Sequence, residues 1–279
     1  MWKSLKESKT GMFGAGIVLL VIVVALTATI ISPHDPTKQD IINKMMVPAW
    51  YGDGSWGHIL GTDQLGRDIL SRIIYGSRVT LLVAFSGTIL AGAVGVVMGA
   101  ISGYYGGWID SLIMRLVDIQ LSFPFILLAL FIAAVLGPGL QNIILIAAMS
   151  GWVRYARLVR GEILSIKEME YIEAIRSLGG SNIRIILYHI LPNVISPVIV
   201  IATLEMAKII LMEASLSYLG LGVPIEIPTW GRMLSDSRVH IATSPWMAIM
   251  PGIAITLTVL GVNLLGDWLR DYLDPKLDI

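Results

Sequence analysis

The sequence contains no cysteine, which excludes disulfide bonds, thiolate metal sites and a cysteine nucleophile. Charged residues are also scarce, at 14% of the 279 residues, and the 20 Lys plus Arg balance the 20 Asp plus Glu. A chain with zero net charge lacks the basic field that attracts nucleic acid. We therefore expect no nucleic-acid binding.

Apolar residues, in contrast, are abundant. They make up 55% of the chain and give a mean hydropathy of +0.76. Several uncharged runs approach the length of about 20 residues that a helix needs to cross a hydrocarbon core. The sequence thus predicts an all-α, polytopic membrane protein with six transmembrane helices, at Gly11 to Ile31, Thr80 to Gly103, Ile119 to Leu136, Leu140 to Leu158, Val194 to Leu216 and Ile241 to Gly266.

The N-terminus begins with a charged segment, as a signal peptide does. Its uncharged run from Gly11 to Ile31 exceeds the signal-peptide core of about 7 to 15 residues. Residues 1–31 are therefore predicted to be a cytoplasmic N-terminus and a retained anchor helix, with cleavage as the alternative. An even number of spans places both termini on one side, and the distribution of Lys and Arg favours a cytoplasmic N-terminus and C-terminus.

Residues 32–78 are predicted to form a long extracytoplasmic loop. Within it, Ile69, Leu70, Ile73 and Ile74 recur at helical spacing, which indicates a helix lying along the membrane interface. A helix packed on the ends of its neighbours is the alternative. Residues 79–279 then form the transmembrane core.

Glycines predict two local features of this core. Gly95, Gly99 and Gly103 lie four residues apart in the second span, a pattern typical of close helix contact in membranes. Gly137 to Gly139 read GPG, which cannot continue a helix and suits a tight turn between antiparallel third and fourth spans.

A polar segment, EYIEAIRSLGGSNIRIILYHILPN, separates the fourth and fifth spans at Glu170 to Asn193. Its apolar residues recur at helical spacing on both sides of GGSN, so we expect two short helices joined by a turn. Pro192 is expected to end the second of them. Such a hairpin either packs on its own protein or docks into the groove of a partner.

The hairpin resembles the EAA loop of permease subunits of ATP-binding-cassette importers, although Ile175 and His189 depart from the usual pattern. The resemblance rests on Glu173, Ala174, Gly179, Leu191 and Pro192. It implies that residues 159–193 form the coupling loop seated on an ATPase subunit.

Four further stretches are similar to the C-type permeases of dipeptide, oligopeptide and nickel importers. They are LGTDQLGRDILSRIIYGSRVTL from Leu60, EASLSYLGLGVP from Glu213, PTWGRML from Pro228 and LGDWLRDYLDPKL from Leu265. The resemblance implies a type I importer domain in the inner membrane that carries peptides, or alternatively nickel or another small solute. A stand-alone channel or secondary transporter is less favoured, because neither needs such a hairpin.

This family resemblance also implies partners. They are a homologous permease, two ATP-binding subunits, an extracytoplasmic substrate-binding protein and membrane lipid. No GxxxxGK[ST] phosphate loop occurs in the sequence, so ATP and Mg are expected on the partner ATPases. The chain itself is expected to be no enzyme, with no catalytic residue and no cofactor of its own.

Two sets of residues are candidates for function. For coupling, Glu173 and Arg184 supply polar docking, Gly179 the turn and Pro192 the helix entry; Ala174 and Ser181 complete this set. In the fifth span, Glu205, Lys208 and Glu213 fall on one side of the helix, where they form either a structural pair or part of the pathway. The four histidines are scattered in the sequence, so no metal site is expected; they are His34, His58, His189 and His240.

Overall fold

The computed structural model describes residues 2–273, and their side chains from Ser4 onward. The last residues of the LGDWLRDYLDPKL stretch lie outside this range. Within it no β-strand forms, and only one isolated bridge joins Thr62 and Asp68. The helices are α1 (Trp2–Glu7), α2 (Lys9–Ile31), α3 (Ile69–Tyr105), α4 (Gly107–Leu121), α5 (Phe125–Leu136), α6 (Leu140–Ile166), α7 (Glu170–Ser177), α8 (Asn182–Ile185), α9 (Leu191–Tyr218), α10 (Trp230–Ser237) and α11 (Trp246–Leu273).

This architecture confirms the predicted all-α membrane fold. Within residues 2–273, four helical segments are long and apolar enough to cross a membrane: α2, α3, the continuous segment Asn182–Tyr218 and α11. The bent pair α4 and α5 adds a fifth candidate. The remaining predicted span corresponds to α6, whose 27 residues extend for about 40 Å and whose charges lower its hydropathy.

The third predicted span is not one straight helix. We expected a helix over Ile119 to Leu136, but α4 and α5 meet at an angle of 89°. The break lies at Ser122 to Pro124, where Pro124 lacks the N–H that would continue α4. The sixth span also differs, since it begins at Trp246 after a turn region and continues to Leu273.

The predicted interfacial helix is wrong as well. Residues 69–78 are the first turns of α3, a single helix of 37 residues, so the proposed boundary at residue 78 falls inside that helix. Asp68 caps its N-terminus by accepting a hydrogen bond from the Ser71 N–H at 2.8 Å. Ile69 and Ile74 are buried rather than laid on a membrane surface.

Buried ion pairs explain why charged residues begin such a helix. Arg67 binds Asp63 at 2.6 Å and Asp236 of α10 at 3.1 Å. Arg72, with only 2% of its side chain exposed, lies 3.6 Å from each of the same two carboxylates. Arg232 completes the group at 3.1 Å from Asp236. Three arginines thus share two carboxylates where α3 meets α10.

The glycines of α3 form the close contact that the sequence predicts, and their partner is α6. A Cβ on Gly95 would lie 2.4 Å from the carbonyl oxygen of Trp152, and one on Gly99 would lie 2.6 Å from that of Ala156. The contact partners advance together along both helices, so α3 and α6 run parallel. We refer to this row of contacts as the glycine seam.

The helices leave the bundle with two distinct ends. One end, here called the hairpin end, carries the C-termini of α3 and α6 together with residues 170–190. The other, the loop end, carries residues 32–68 and 219–245. The helix α2 packs against α11, where Gly14 lies close to Gly261.

Candidate functional site: a projecting hairpin and a charge cluster between helices

The predicted turn of the hairpin forms at Gly179. This residue has φ of +84°, a left-handed conformation that glycine adopts without steric cost. The N–H groups of Gly179 and Gly180 donate to the carbonyls of Arg176 and Ile175, both at 3.0 Å, which ends α7 as glycine caps commonly do. The chain then turns into α8.

One face of the hairpin is fixed to the helix bundle. Ile172, Ile185 and Ile190 are fully buried and pack in one cluster with Val159 and Ile163 of α6 and with Ala100 of α3. The hydroxyl of Tyr104 in α3 also donates to the Asn182 side chain at 2.9 Å. Displacing the hairpin would therefore displace the ends of both helices.

The opposite face is open. All six predicted coupling residues are exposed: Glu173, Ala174, Gly179, Ser181, Arg184 and Pro192. Large apolar side chains lie among them, with Leu178 88% and Ile183 67% exposed. The apolar residues that recur on both sides of GGSN are thus divided, since some of them pack on the bundle and others face outward.

Pro192 does not end the second helix, contrary to expectation. Residues 182–218 form one continuous helical segment. A π-helical turn at Ile186–Ile190 precedes the proline, and there the Leu191 N–H donates to the carbonyl of Ile186. The wider turn admits Pro192 near the start of α9, where a missing N–H is tolerated.

Charges meet midway along α6 and α9. The guanidinium of Arg154 lies 2.5 Å from Oε1 of Glu205, and Nζ of Lys208 lies 3.2 Å from the same oxygen. The pairing of Glu205 with Lys208 agrees with their three-residue spacing. Arg154 was not among the residues singled out from the sequence, although a charge inside the predicted fourth span was the signal that could have identified it.

The burial of this cluster is uneven. The Glu205 side chain is 3% exposed, whereas those of Arg154 and Lys208 are 41% and 49% exposed. Two cations therefore point outward from one buried carboxylate. Glu213 is a separate feature: it is fully buried nearer the loop end and accepts a hydrogen bond from Ser217 at 2.7 Å.

The histidines are less scattered than their sequence positions suggest. His34 and His58 stack with ring centroids 4.6 Å apart, and both approach Asp68, at 3.8 Å and 3.0 Å. His58 lies on Oδ1 of Asp68, whereas Oδ2 accepts hydrogen bonds from the N–H and the hydroxyl of Ser71. This carboxylate therefore already serves as a helix cap. His189 and His240 do not belong to this group.

Two segments of the chain match known protein families. Residues 95–279 match the family described as the binding-protein-dependent transport system inner membrane component. Residues 1–48 match the N-terminal transmembrane domain of oligopeptide transport permease C.

Curated relatives match nearly the whole chain. A dipeptide transport system permease of Alkalihalophilus pseudofirmus is 44% identical over 99% of this chain and 89% of its own. A di/tripeptide permease of Pseudomonas aeruginosa is 40% identical over 99% and 91%. A glutathione permease of Escherichia coli O157:H7 is 42% identical over 99% and 89%.

Among solved structures, an inward-facing form of the methionine ABC transporter MetNI aligns with a TM-score of 0.60 at 20% identity. The alignment covers 74% of this chain and 98% of that chain.

Proposed function

This chain belongs to the family of binding-protein-dependent transport system inner membrane components, and we propose that it is one of two permease subunits of an ATP-driven importer of short peptides. Relatives named for dipeptides, di/tripeptides and glutathione support this substrate class, because glutathione is itself a tripeptide. The second permease is a homologous chain, and the transport pathway lies between the two.

The arrangement of the hairpin carries the proposal of ATP-driven coupling. Its inner face is fixed by Ile172, Ile185 and Ile190 to helices that cross the membrane, while its outer face presents apolar and charged side chains together. An exposed apolar patch rimmed by polar residues is typical of a protein interface. We infer that an ATPase subunit binds there and that its movement displaces α6 and α9.

Within this interface we assign roles by position. Glu173 and Arg184 form polar contacts with the ATPase, and Leu178 and Ile183 fill apolar pockets. Ala174 and Ser181 allow close approach, and Gly179 maintains the turn. ATP and Mg bind on the two ATPases, whereas an extracytoplasmic binding protein delivers the peptide at the loop end.

This assignment implies an orientation of the chain. The hairpin end faces the cytoplasm, where ATP is available, so both termini lie on that side of the inner membrane. The loop end, with residues 32–68 and the buried arginines, faces outward. The predominance of Lys and Arg in the segments at the hairpin end agrees with this orientation.

A pair of matched substitutions tests the coupling surface. Leu178→Asp places a carboxylate on the hairpin, and Val239→Asp places one at the loop end, where the valine is similarly exposed at 80%. In the purified complex, we expect Leu178→Asp to lower peptide-stimulated ATP hydrolysis by about tenfold or more, corresponding to roughly 1.4 kcal/mol or more of lost docking energy. Leu178→Asp should also reduce the amount of ATPase that copurifies with the permease, whereas Val239→Asp should leave that amount unchanged, because the ATPase does not reach the loop end.

Two results would contradict the proposal. One is wild-type ATPase binding, hydrolysis and uptake in Leu178→Asp, which would remove the hairpin from coupling. The other is peptide transport by the lone chain in liposomes without any ATPase, which would instead indicate a channel or a secondary transporter.

A further inference from the structure

Two cations lie half-exposed at the centre of this protein. Arg154 is near the middle of α6, between Leu140 and Ile166, and Lys208 is near the middle of α9, between Leu191 and Tyr218. At about 1.5 Å per residue, both lie well away from either end of their helices. Both also lie within spans that the sequence predicts to cross the membrane, Leu140 to Leu158 and Val194 to Leu216.

Lipid is therefore an unsuitable neighbour for this face. Charged side chains in membrane-spanning segments point towards water-filled cavities or towards other polar groups, because hydrocarbon cannot solvate them. Glu205 neutralises only one of the two cations. The cluster keeps a net positive charge, and its exposed part faces away from the rest of this chain.

The hydrogen bonds leave donors free for a ligand. Both cations are hydrogen-bonded to the same oxygen of Glu205, through one nitrogen each. The remaining N–H groups of Arg154 and Lys208 lie on the exposed side of the cluster. Planar guanidinium groups and ammonium groups are the usual protein partners of carboxylates.

We propose that Arg154 and Lys208, held together by Glu205, bind the C-terminal carboxylate of the transported peptide midway along the pathway. This inference depends on the proposed function, since it assumes that the substrates are short peptides with a free carboxylate. Glu205 has two effects. It reduces the repulsion between the cations, and it weakens their hold on the ligand, as a site that must release its cargo requires.

The first experiment tests whether the face that carries Arg154 and Lys208 is exposed to water. The natural chain has no cysteine, so Lys208→Cys introduces the one thiol of this subunit, and its labelling is measured on the separated subunit. In the assembled complex, we expect a charged methanethiosulfonate to label that thiol and an unlabelled dipeptide to slow the labelling. Leu20→Cys is the control, because Leu20 is 62% exposed near the middle of α2 on an apolar surface.

An unreactive thiol at position 208 would overturn the proposal. It would place this face against lipid or against an acidic group of the partner permease. Labelling that dipeptide does not slow, even at ten times the concentration that saturates the wild-type complex, would also overturn the proposal, because the face would then meet water without binding peptide.

The second experiment measures transport by the full complex in proteoliposomes, using a neutral dipeptide and its C-terminal amide. We expect Lys208→Gln and Arg154→Gln each to raise the KM for the free acid by about tenfold and to reduce the preference for acid over amide. Lys208→Arg should have a KM close to the wild-type value. The binding protein is the same throughout, so any change arises in the permease.

Glu205→Gln distinguishes binding from a purely structural role. Removing the opposing carboxylate should lower the KM for the free acid and also lower kcat, because release becomes slower. A structural ion pair predicts instead that all three substitutions impair assembly in the same direction. An unchanged KM in Lys208→Gln and Arg154→Gln refutes this inference alone, whereas a wild-type complex that takes up no peptide refutes the proposed function.

Discussion

Arg67 donates a hydrogen bond to Asp236 at 3.1 Å, across 169 residues of sequence. The contact joins the segment before α3 to α10 and lies almost entirely out of solvent. Asp236 also pairs with Arg72 and Arg232, whereas Asp63 pairs with Arg67 and Arg72 alone among these arginines. The loop end is therefore held by charges rather than by apolar packing alone.

We expect Asp236→Asn to destabilise the protein by about 3–5 kcal/mol, because Asp63 alone would then face buried Arg67 and Arg72. Thermal unfolding of the detergent-purified protein measures the effect. Asp53→Asn is the control, since Asp53 is exposed in the same loop region. Equal melting temperatures for Asp236→Asn and Asp53→Asn would show that the network contributes little.

The glycine seam gives a second prediction. In Gly99→Ala, the new methyl would lie 2.6 Å from the carbonyl oxygen of Ala156, and we expect a loss of about 1–3 kcal/mol because backbone cannot move aside. Gly92→Ala in the same helix should be tolerated, since its nearest neighbour is a ring atom of Tyr155 at 3.5 Å. Proteolysis and thermal-unfolding measurements compare the stability of the two variants. Equal stability would argue against a tight contact between α3 and α6 at Gly99.

The third prediction concerns the turn of the hairpin at Gly179. Proline fixes φ near −65° and cannot adopt the +84° of Gly179, so Gly179→Pro should insert into the membrane but lose most peptide-stimulated ATP hydrolysis. Asparagine tolerates the left-handed conformation far better, so Gly179→Asn should keep most of the peptide-stimulated ATP hydrolysis. Normal hydrolysis by the proline variant would contradict a coupling role for this turn.

Orientation is testable by labelling in intact cells, because the chain has no cysteine of its own. Leu178→Cys and Val239→Cys are both highly exposed, at opposite ends of the bundle. A membrane-impermeant maleimide should label position 239 from outside and position 178 only after permeabilisation. The reverse pattern would invert the proposed topology.

The sequence predicted those helices whose boundaries depend on local chemistry. Uncharged runs identified α2 and the core of α9, and the glycine spacing in α3 indicated a close contact. The start of α3 was missed because charged residues, Arg67 and Arg72 among them, precede the uncharged run that marks the second span. Their partner Asp236 lies far away in sequence, and no periodic pattern reveals such a pairing.

In the candidate site, too, local features were predicted from the sequence and contacts between distant helices were not. The turn at Gly179 and the Glu205–Lys208 pair followed from residue type and spacing. The contact with Arg154 did not, because it depends on how α6 packs against α9. The break at Pro124 was visible in the sequence, but the apolar residues before it favoured a continuous helix.

The glycine seam also limits how this subunit can change shape. Gly95, Gly99 and Gly103 of α3 each lie against backbone or side-chain atoms of α6, so sliding either helix along the other would bring a side chain against a backbone that leaves no room for it. Shear between these helices is thereby blocked, and they must rotate or tilt as a single rigid block. Relative motion is left to the interfaces that lack such interlocking, above all those around the bent segment of α4 and α5.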